Sequence, residues 1–172
     1  QTGICKVFDF GAGSTGLSEK AALGNGFTDI ETVINASPDK PGFMKANLLI
    51  TKVVVNRRDG RILGAQCVGP GDVSKQLAIW AMAIKAKLTV DDMVNADLPY
   101  APPFSLAIDH SIAAAHIIQN KLKGRMQGIS STAVKNKLDA GGAPYLLDLR
   151  GPDEFEQMRL GVGEHLIPLG AL

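Results

Sequence analysis

Tyr100 is the residue that its neighbours prepare best for chemistry. It lies in Asp97-Leu98-Pro99-Tyr100-Ala101-Pro102-Pro103-Phe104-Ser105, where three prolines in five residues fix φ and remove backbone donors. Such a segment forms neither a helix interior nor a central strand. It is a stiff loop that carries a phenol, and a phenol can donate a hydrogen bond to an anion or relay a proton. The plainer reading is a connector between two apolar helical stretches with a buried tyrosine. A loop that must aim one side chain favours a cis bond, at Pro103 or Pro99. Ser105 is placed to cap the helix that follows.

Other residues with chemical potential fare less well. Gly11-Ala12-Gly13-Ser14-Thr15-Gly16 is a formal GxGxxG. A dinucleotide fingerprint needs a buried apolar strand before it, a full helix after it and an acidic residue at the end of the next strand. Here Lys6 and Asp9 interrupt the preceding strand, the following helix stops at Gly24-Asn25-Gly26, and Asp29 and Glu31 fall at the start of the next strand. The stretch is expected to be a turn with a helix start. Cys5 and Cys67 form no CxxC and have no histidine at ligand spacing, so neither a disulfide framework nor a metal site is expected. Cys67 alternates with Leu63 and Ala65 and reads as core. His110 and His116 interrupt an apolar helix and read as hydrogen-bonded packing residues; His110 and Asp109, as helix neighbours, point apart and form no dyad.

The elements that must position these residues are an antiparallel sheet and a few helices. Strands are expected over 4–10, 30–36, 47–56 and 62–68, the last two joined at Arg57-Arg58-Asp59-Gly60 as a hairpin. Gly64 inside the return strand marks a bulge or a close backbone approach. Asp72 caps a helix over about 73–87 that is apolar on two sides, a sign of an interface. Thr89 and Asp92 open a short helix, and the proline loop leads into a second long helix over 106–122. Residues 123–130 read as a linker. Beyond it a helix over 131–139, a strand at Tyr145–Leu149 and a helix after Arg150 start a second α/β unit, with a further strand expected at Ile167-Pro168-Leu169.

Composition excludes some classes. The chain has 172 residues, 45% hydrophobic and 20% charged, with a net charge of +1, which gives no electrostatic case for nucleic acid or a membrane surface. No apolar run reaches the length of a membrane span. Two free-standing cysteines suit the reducing cytoplasm. The first residue is Gln1 and the last segment is apolar, so the chain reads as a piece of a longer protein.

The motifs then make a pattern. Thr15-Gly16-Leu17-Ser18-Glu19-Lys20-Ala21, Gly60-Arg61-Ile62-Leu63-Gly64-Ala65-Gln66, Val68-Gly69, the Asp97–Ser105 loop and Asn120-Lys121-Leu122-Lys123-Gly124 follow one another in family order. In these motifs the chain resembles the C-terminal dimerisation domain of the FAD-dependent pyridine nucleotide–disulfide oxidoreductases, in the CoA-disulfide reductase and NADH oxidase branch. Leu146-Leu147-Asp148-Leu149-Arg150 and Asp153-Glu154-Phe155 resemble the start of a rhodanese domain. The resemblance implies an α+β fold, an antiparallel β-sheet with helices on one face, over residues 1–123. A linker over 124–130 and the N-terminal part of a rhodanese-like domain over 131–172 follow.

It also implies a homodimer whose FAD and NAD(P)H bind in other domains of the parent, with no cofactor held by this stretch alone. Tyr100 would reach toward the partner's redox cysteine, and Pro102 and Pro103 would lie near the partner's flavin. A small-molecule disulfide, a persulfide or dioxygen would accept the electrons. The branch's CoA-disulfide reductases carry a second tyrosine in a loop that corresponds to residues 35–42, where this chain has none. CoA disulfide is therefore not favoured over persulfide, polysulfide or dioxygen. Where the family often has proline after the aspartate of the last helix, this chain has His110. Two other classes remain: an interaction module without redox chemistry, and a nucleotide-binding protein that uses Gly11 to Gly16.

Overall fold

A computed structural model describes all 172 residues, which divide into two compact units, Gln1–Gln127 and Gly128–Leu172. In the first unit the strands are β1 (Gly3–Val7), β2 (Phe10–Gly16), β3 (Ile30–Pro38), β4 (Leu48–Asn56) and β5 (Ile62–Gly69). They form one antiparallel sheet in the order β1-β2-β5-β4-β3. The helices are α1 (Glu19–Gly24), α2 (Val73–Lys85), α3 (Val90–Val94) and α4 (His110–Leu122). The α+β class and the antiparallel sheet agree with expectation.

Alternation along β4 builds the core. Leu49, Thr51, Val53 and Val55 all turn to the helical side and are fully buried. Val53 and Val55 meet Trp80 and Ala83 of α2 and Ala114, Ala115 and Ile118 of α4. Burying a side chain such as Trp80 or Ile118 stabilises by about 1.5–3 kcal/mol each before entropy is set against it. The second apolar side of α2 divides: Ala83 belongs to this core, whereas Met82 is exposed. The short α1 packs through Ala22 against Val54 and Leu63 at one end of the opposite face.

Three expectations about local structure change. Residues 4–10 are not one strand: the chain reverses at Phe8, whose φ of 52° is left-handed, and β2 returns along β1. Gly11 to Gly16 therefore form a strand, not a turn with a helix start. They pair with β1 on one side and β5 on the other. β3 continues through residues expected to be a loop and ends at Pro38, which an edge strand tolerates because its free side needs no donor.

The β4–β5 register also shifts. Val54 pairs with Gly64 and Val55 with Ile62, so Leu63 is an extra residue. The bulge turns Leu63 away from Ala65 and Cys67 and toward α1, which straight alternation had not anticipated.

The second unit holds α5 (Ser131–Asp139), β6 (Leu147–Asp148), α6 (Pro152–Gln157) and β7 (His165–Leu166). β6 and β7 pair in parallel, with α6 between them in sequence. Ser130 caps α5 through the Ala133 N–H at 3.1 Å. The strand expected at 167–169 lies two residues earlier, at His165–Leu166; the Ile167 and Leu169 N–H groups still donate to the Asp148 and Leu149 carbonyls, and Leu169–Ala171 is a 3-10 turn.

Candidate functional site: a pinned loop presenting Tyr100

The proline loop folds back on itself before α4 begins. Phe104 N–H donates to the Ala101 carbonyl at 2.9 Å, and the Ser105 hydroxyl donates to the Pro99 carbonyl at 3.3 Å. Ser105 is fully buried, and its hydroxyl is committed to this closure. The capping role falls to Asp109, whose carboxylate accepts from the Ser111 N–H at 2.9 Å. Helix α4 accordingly begins at His110 and not at residue 106. All peptide bonds are trans, so the cis bond expected at Pro103 or Pro99 is absent. The aim of the loop is set instead by its internal hydrogen bonds and by the two residues that follow it.

Those two residues grip in opposite directions. Asp109, 3% exposed, turns to α2: it accepts from Lys75 Nζ at 2.7 Å and Gln76 Nε2 at 3.2 Å, and from the Ser111 hydroxyl at 2.8 Å. Burial pushes its carboxyl up, but the hydrogen bonds, led by Lys75, outweigh burial and hold it below the usual carboxylate range. His110 turns to the sheet. Its Nε2 lies 2.8 Å from Thr51 Oγ1 on β4 and its Nδ1 2.7 Å from Ser37 Oγ on β3. Its backbone carbonyl accepts from Asn35 Nδ2 at 3.1 Å. Burial pushes the imidazole below its ordinary value, with Asp109 pulling the other way.

The outcome for Tyr100 follows from these grips. The residue is 54% exposed, not buried, on a loop that is closed on itself and fastened at its exit. Phe104 and Ile108 of the same loop are exposed beside it in sequence, and Phe43 is exposed in the β3–β4 turn. Pro102 is half-buried and Pro103 exposed. The loop thus offers an exposed phenol and an exposed proline, Pro103, to whatever meets it. The sequence had signalled Tyr100 and the prolines through loop stiffness; it gave no sign of the Asp109–Lys75 and His110–Thr51 contacts, which join residues far apart in the chain. His116, expected to pack, is exposed, because it lies on the side of α4 away from Ala114, Ala115 and Ile118.

The remaining candidates do not assemble. Cys5 is exposed and Cys67 buried. Burial raises the Cys67 thiol above its ordinary value, with Thr51 offsetting part of the effect, so the thiol is poorly suited to act as a nucleophile. No three His, Cys, Asp or Glu residues converge on a metal position. Gly11 to Gly16 do not fit a dinucleotide phosphate: their strand is flanked by β1 and β5, and its backbone N–H groups serve those two ladders. A cradle for phosphate needs those groups free at a helix N-terminus. Gly13 has a packing role, since a Cβ there would sit 2.4 Å from Leu77 Cδ1 of α2. No helix is long and apolar enough to cross a membrane.

Comparison with known proteins places this architecture. Residues 2–112 match the sequence profile of the pyridine nucleotide-disulphide oxidoreductase dimerisation domain. The NAD(P)H sulfur oxidoreductase (CoA-dependent) of Pyrococcus furiosus is 34% identical over 119 residues, covering 69% of this chain and 26% of that protein. Among solved structures, an NAD-dependent persulfide reductase from A. fulgidus superposes with a TM-score of 0.85 at 37% identity, over 98% of this chain and 29% of that one. Reduced Bacillus anthracis CoADR-RHD gives a TM-score of 0.86 at 33% identity, over 98% and 30%. The chain therefore spans between a quarter and a third of the length of these relatives. It belongs to the pyridine nucleotide-disulphide oxidoreductases and carries their dimerisation domain.

Proposed function

We propose that this chain is the dimer-forming, site-completing part of a homodimeric, cytoplasmic FAD- and NAD(P)H-dependent oxidoreductase that reduces a persulfide or a small-molecule disulfide. Residues 1–123 form the dimerisation domain, residues 124–130 the linker and residues 131–172 the first part of a rhodanese-like domain. The observation that carries the reading is the loop itself. Tyr100 is half-exposed, yet the loop bearing it is fastened by Ser105, Asp109 and His110. A surface connector has no need of such fixing, whereas a side chain that must meet a second subunit does. Sulfur, persulfide and CoA appear in the names of relatives 33% to 37% identical to this chain, and so favour a sulfur acceptor over dioxygen. The parallel β6–α6–β7 arrangement and the match of the two solved structures over 98% of the chain support the rhodanese-like reading.

On this reading the flavin passes electrons from NAD(P)H to the sulfur acceptor. Tyr100 contributes a hydrogen-bond donor at the partner's sulfur site, and Pro102 and Pro103 shape the wall beside the partner's flavin. In the full-length protein Tyr100→Phe is expected to lower persulfide or disulfide turnover by about 100-fold, within the range for loss of one positioned proton donor. Flavin content and dimer mass stay unchanged. An unaltered rate would reduce Tyr100 to a surface residue.

The assembly claim has its own measurement. Sedimentation of this chain is expected to show a dimer at micromolar concentration, consistent with an obligate interface of about 2,000 Å² or more. A monomer across the whole concentration range would remove the dimer-forming role from these residues.

A further inference from the structure

Residue 110 joins three elements through one imidazole. Asn35 Nδ2 donates to Ser37 Oγ at 3.2 Å and to the His110 carbonyl, and lies 3.4 Å from His110 Nδ1. With its oxygen accepting from Asn35, the Ser37 hydroxyl gives its own proton to Nδ1. Nε2 then carries the ring hydrogen and donates to Thr51 Oγ1. Thr51 in turn pairs across the sheet with Cys67. Every ring nitrogen is satisfied while the imidazole is neutral. A second ring proton on Nδ1 would find only the hydroxyl or backbone of Ser37 as its acceptor, and no carboxylate hydrogen-bonds the ring to balance the charge. The residue is 1% exposed, so water cannot solvate that charge.

We propose that His110 is a positioning residue with a proton-controlled grip: neutral, it fastens the start of α4 and the exit of the Tyr100 loop to β3 and β4, and protonated, it lets them go. From its own element Asp109 favours the charged ring, but its carboxylate is turned to Lys75 and Gln76 of α2. Asp39, just after β3, also favours charge; it is spent on the Asn47 N–H at 2.8 Å and on Lys40 at 3.5 Å. Lys75 of α2 opposes charge, as does burial, which is the largest influence. β3 and β4 present no charged group to the ring, only Asn35, Ser37 and Thr51; the Ser37 backbone favours the charged ring, and burial outweighs it.

The pinned state binds the neutral ring, so the grip is complete above the ordinary histidine value of 6.5 and weakens as pH falls below it toward the lowered value. Within that window the opening equilibrium of the loop rises about tenfold per pH unit. The proposal draws on the Tyr100 reading only for its consequence in the parent enzyme, because the motion is measured without substrate.

The test is amide hydrogen exchange of this 172-residue chain from pH 7 to pH 5, corrected for the intrinsic exchange rate. As pH falls below 6.5 the Phe104 and Ser105 amides are expected to open more, by up to about tenfold per unit, and the Thr15 and Ala65 amides of the β2–β5 ladder far less. His110→Gln keeps a donor and an acceptor but does not titrate, so its loop should be insensitive to pH. Should that variant not fold, the wild-type imidazole titration serves instead: the His110 ring and the loop amides must share one midpoint, distinct from that of exposed His116. Equal acid opening in His110→Gln, equal opening of the ladder, or separate midpoints would overturn the proposal. Failure of Tyr100→Phe to slow the parent enzyme would leave it standing.

Discussion

Gly64→Ala is expected to destabilise the first unit by about 3 kcal/mol or more, at the upper end of overpacking costs. The residue sits where the bulged strand β5 passes under the segment between β2 and α1. A Cβ built on Gly64 would lie 1.9 Å from the Leu17 carbonyl oxygen and 2.7 Å from the Leu17 amide nitrogen. Both are backbone atoms, and the Leu17 N–H already donates to the Leu63 carbonyl at 2.9 Å. No rotamer change relieves the clash. Either β2 lifts away from β5, or the bulge is lost and Leu63 loses its place against Ala22 and Val54. Gly3→Ala is the matched control, since nothing lies within 4 Å of a Cβ there. Urea unfolding and a thermal scan should place Gly64→Ala about 10 °C below the wild type and Gly3→Ala within a degree or two of it. A fall of less than about 3 °C in Gly64→Ala would show that β2 and β5 are not held this closely.

Gly64 also shows how far the sequence can be read. A glycine in a strand signals a bulge or a close approach without saying which, and here it is both. The β4–β5 hairpin, α2 and α3 were readable because their signals are local. Asp72 accepts from the Lys75 N–H at 2.9 Å, and Thr89 with Asp92 forms a reciprocal cap. The turn at Phe8 was not readable. Left-handed backbone is normally given to glycine or asparagine, and the apolar alternation runs straight through the reversal. The start of α4 was misplaced because two residues compete for the cap. Ser105 looks suitable in sequence, but its hydroxyl is taken by Pro99, a contact made only once the loop has closed. Tyr100 stood out because prolines announce stiffness. The grip of His110 on Thr51 and Ser37 did not, because a strand residue announces the face it occupies and not the helix that will reach it.

Asp109→Ala is expected to cost about 3 kcal/mol, the low end for breaking a buried ion pair. The low end applies because Lys75 is 27% exposed in its side chain and can turn to water. Gln76 cannot: it is 2% exposed, and its Oε1 already lacks a partner within the chain. With Asp109 gone, both ends of the Gln76 amide are unsatisfied, and the first turn of α4 loses its cap at Ser111. Asp109→Asn keeps an acceptor for Ser111 and should cost less. It separates charge from capping, because Oδ1 still accepts from Ser111 and Gln76 while the amide NH2 that replaces Oδ2 cannot accept from Lys75. The pH dependence gives an independent check. The folded-state carboxyl lies below its ordinary 3.8, so its contribution is full above that value and is lost as pH falls through the lowered one. Stability of Asp109→Asn should therefore decline less steeply than that of the wild type in the most acidic range, whereas the His110 effect appears nearer neutral pH. An equal slope in both proteins would mean that the Lys75–Asp109 contact at 2.7 Å carries no net stabilisation. The separation of the two windows matters for the loop. Acid weakens the grip on the sheet first, while α2 still holds Asp109, so α4 stays attached to α2 as the Tyr100 loop loses its second anchor.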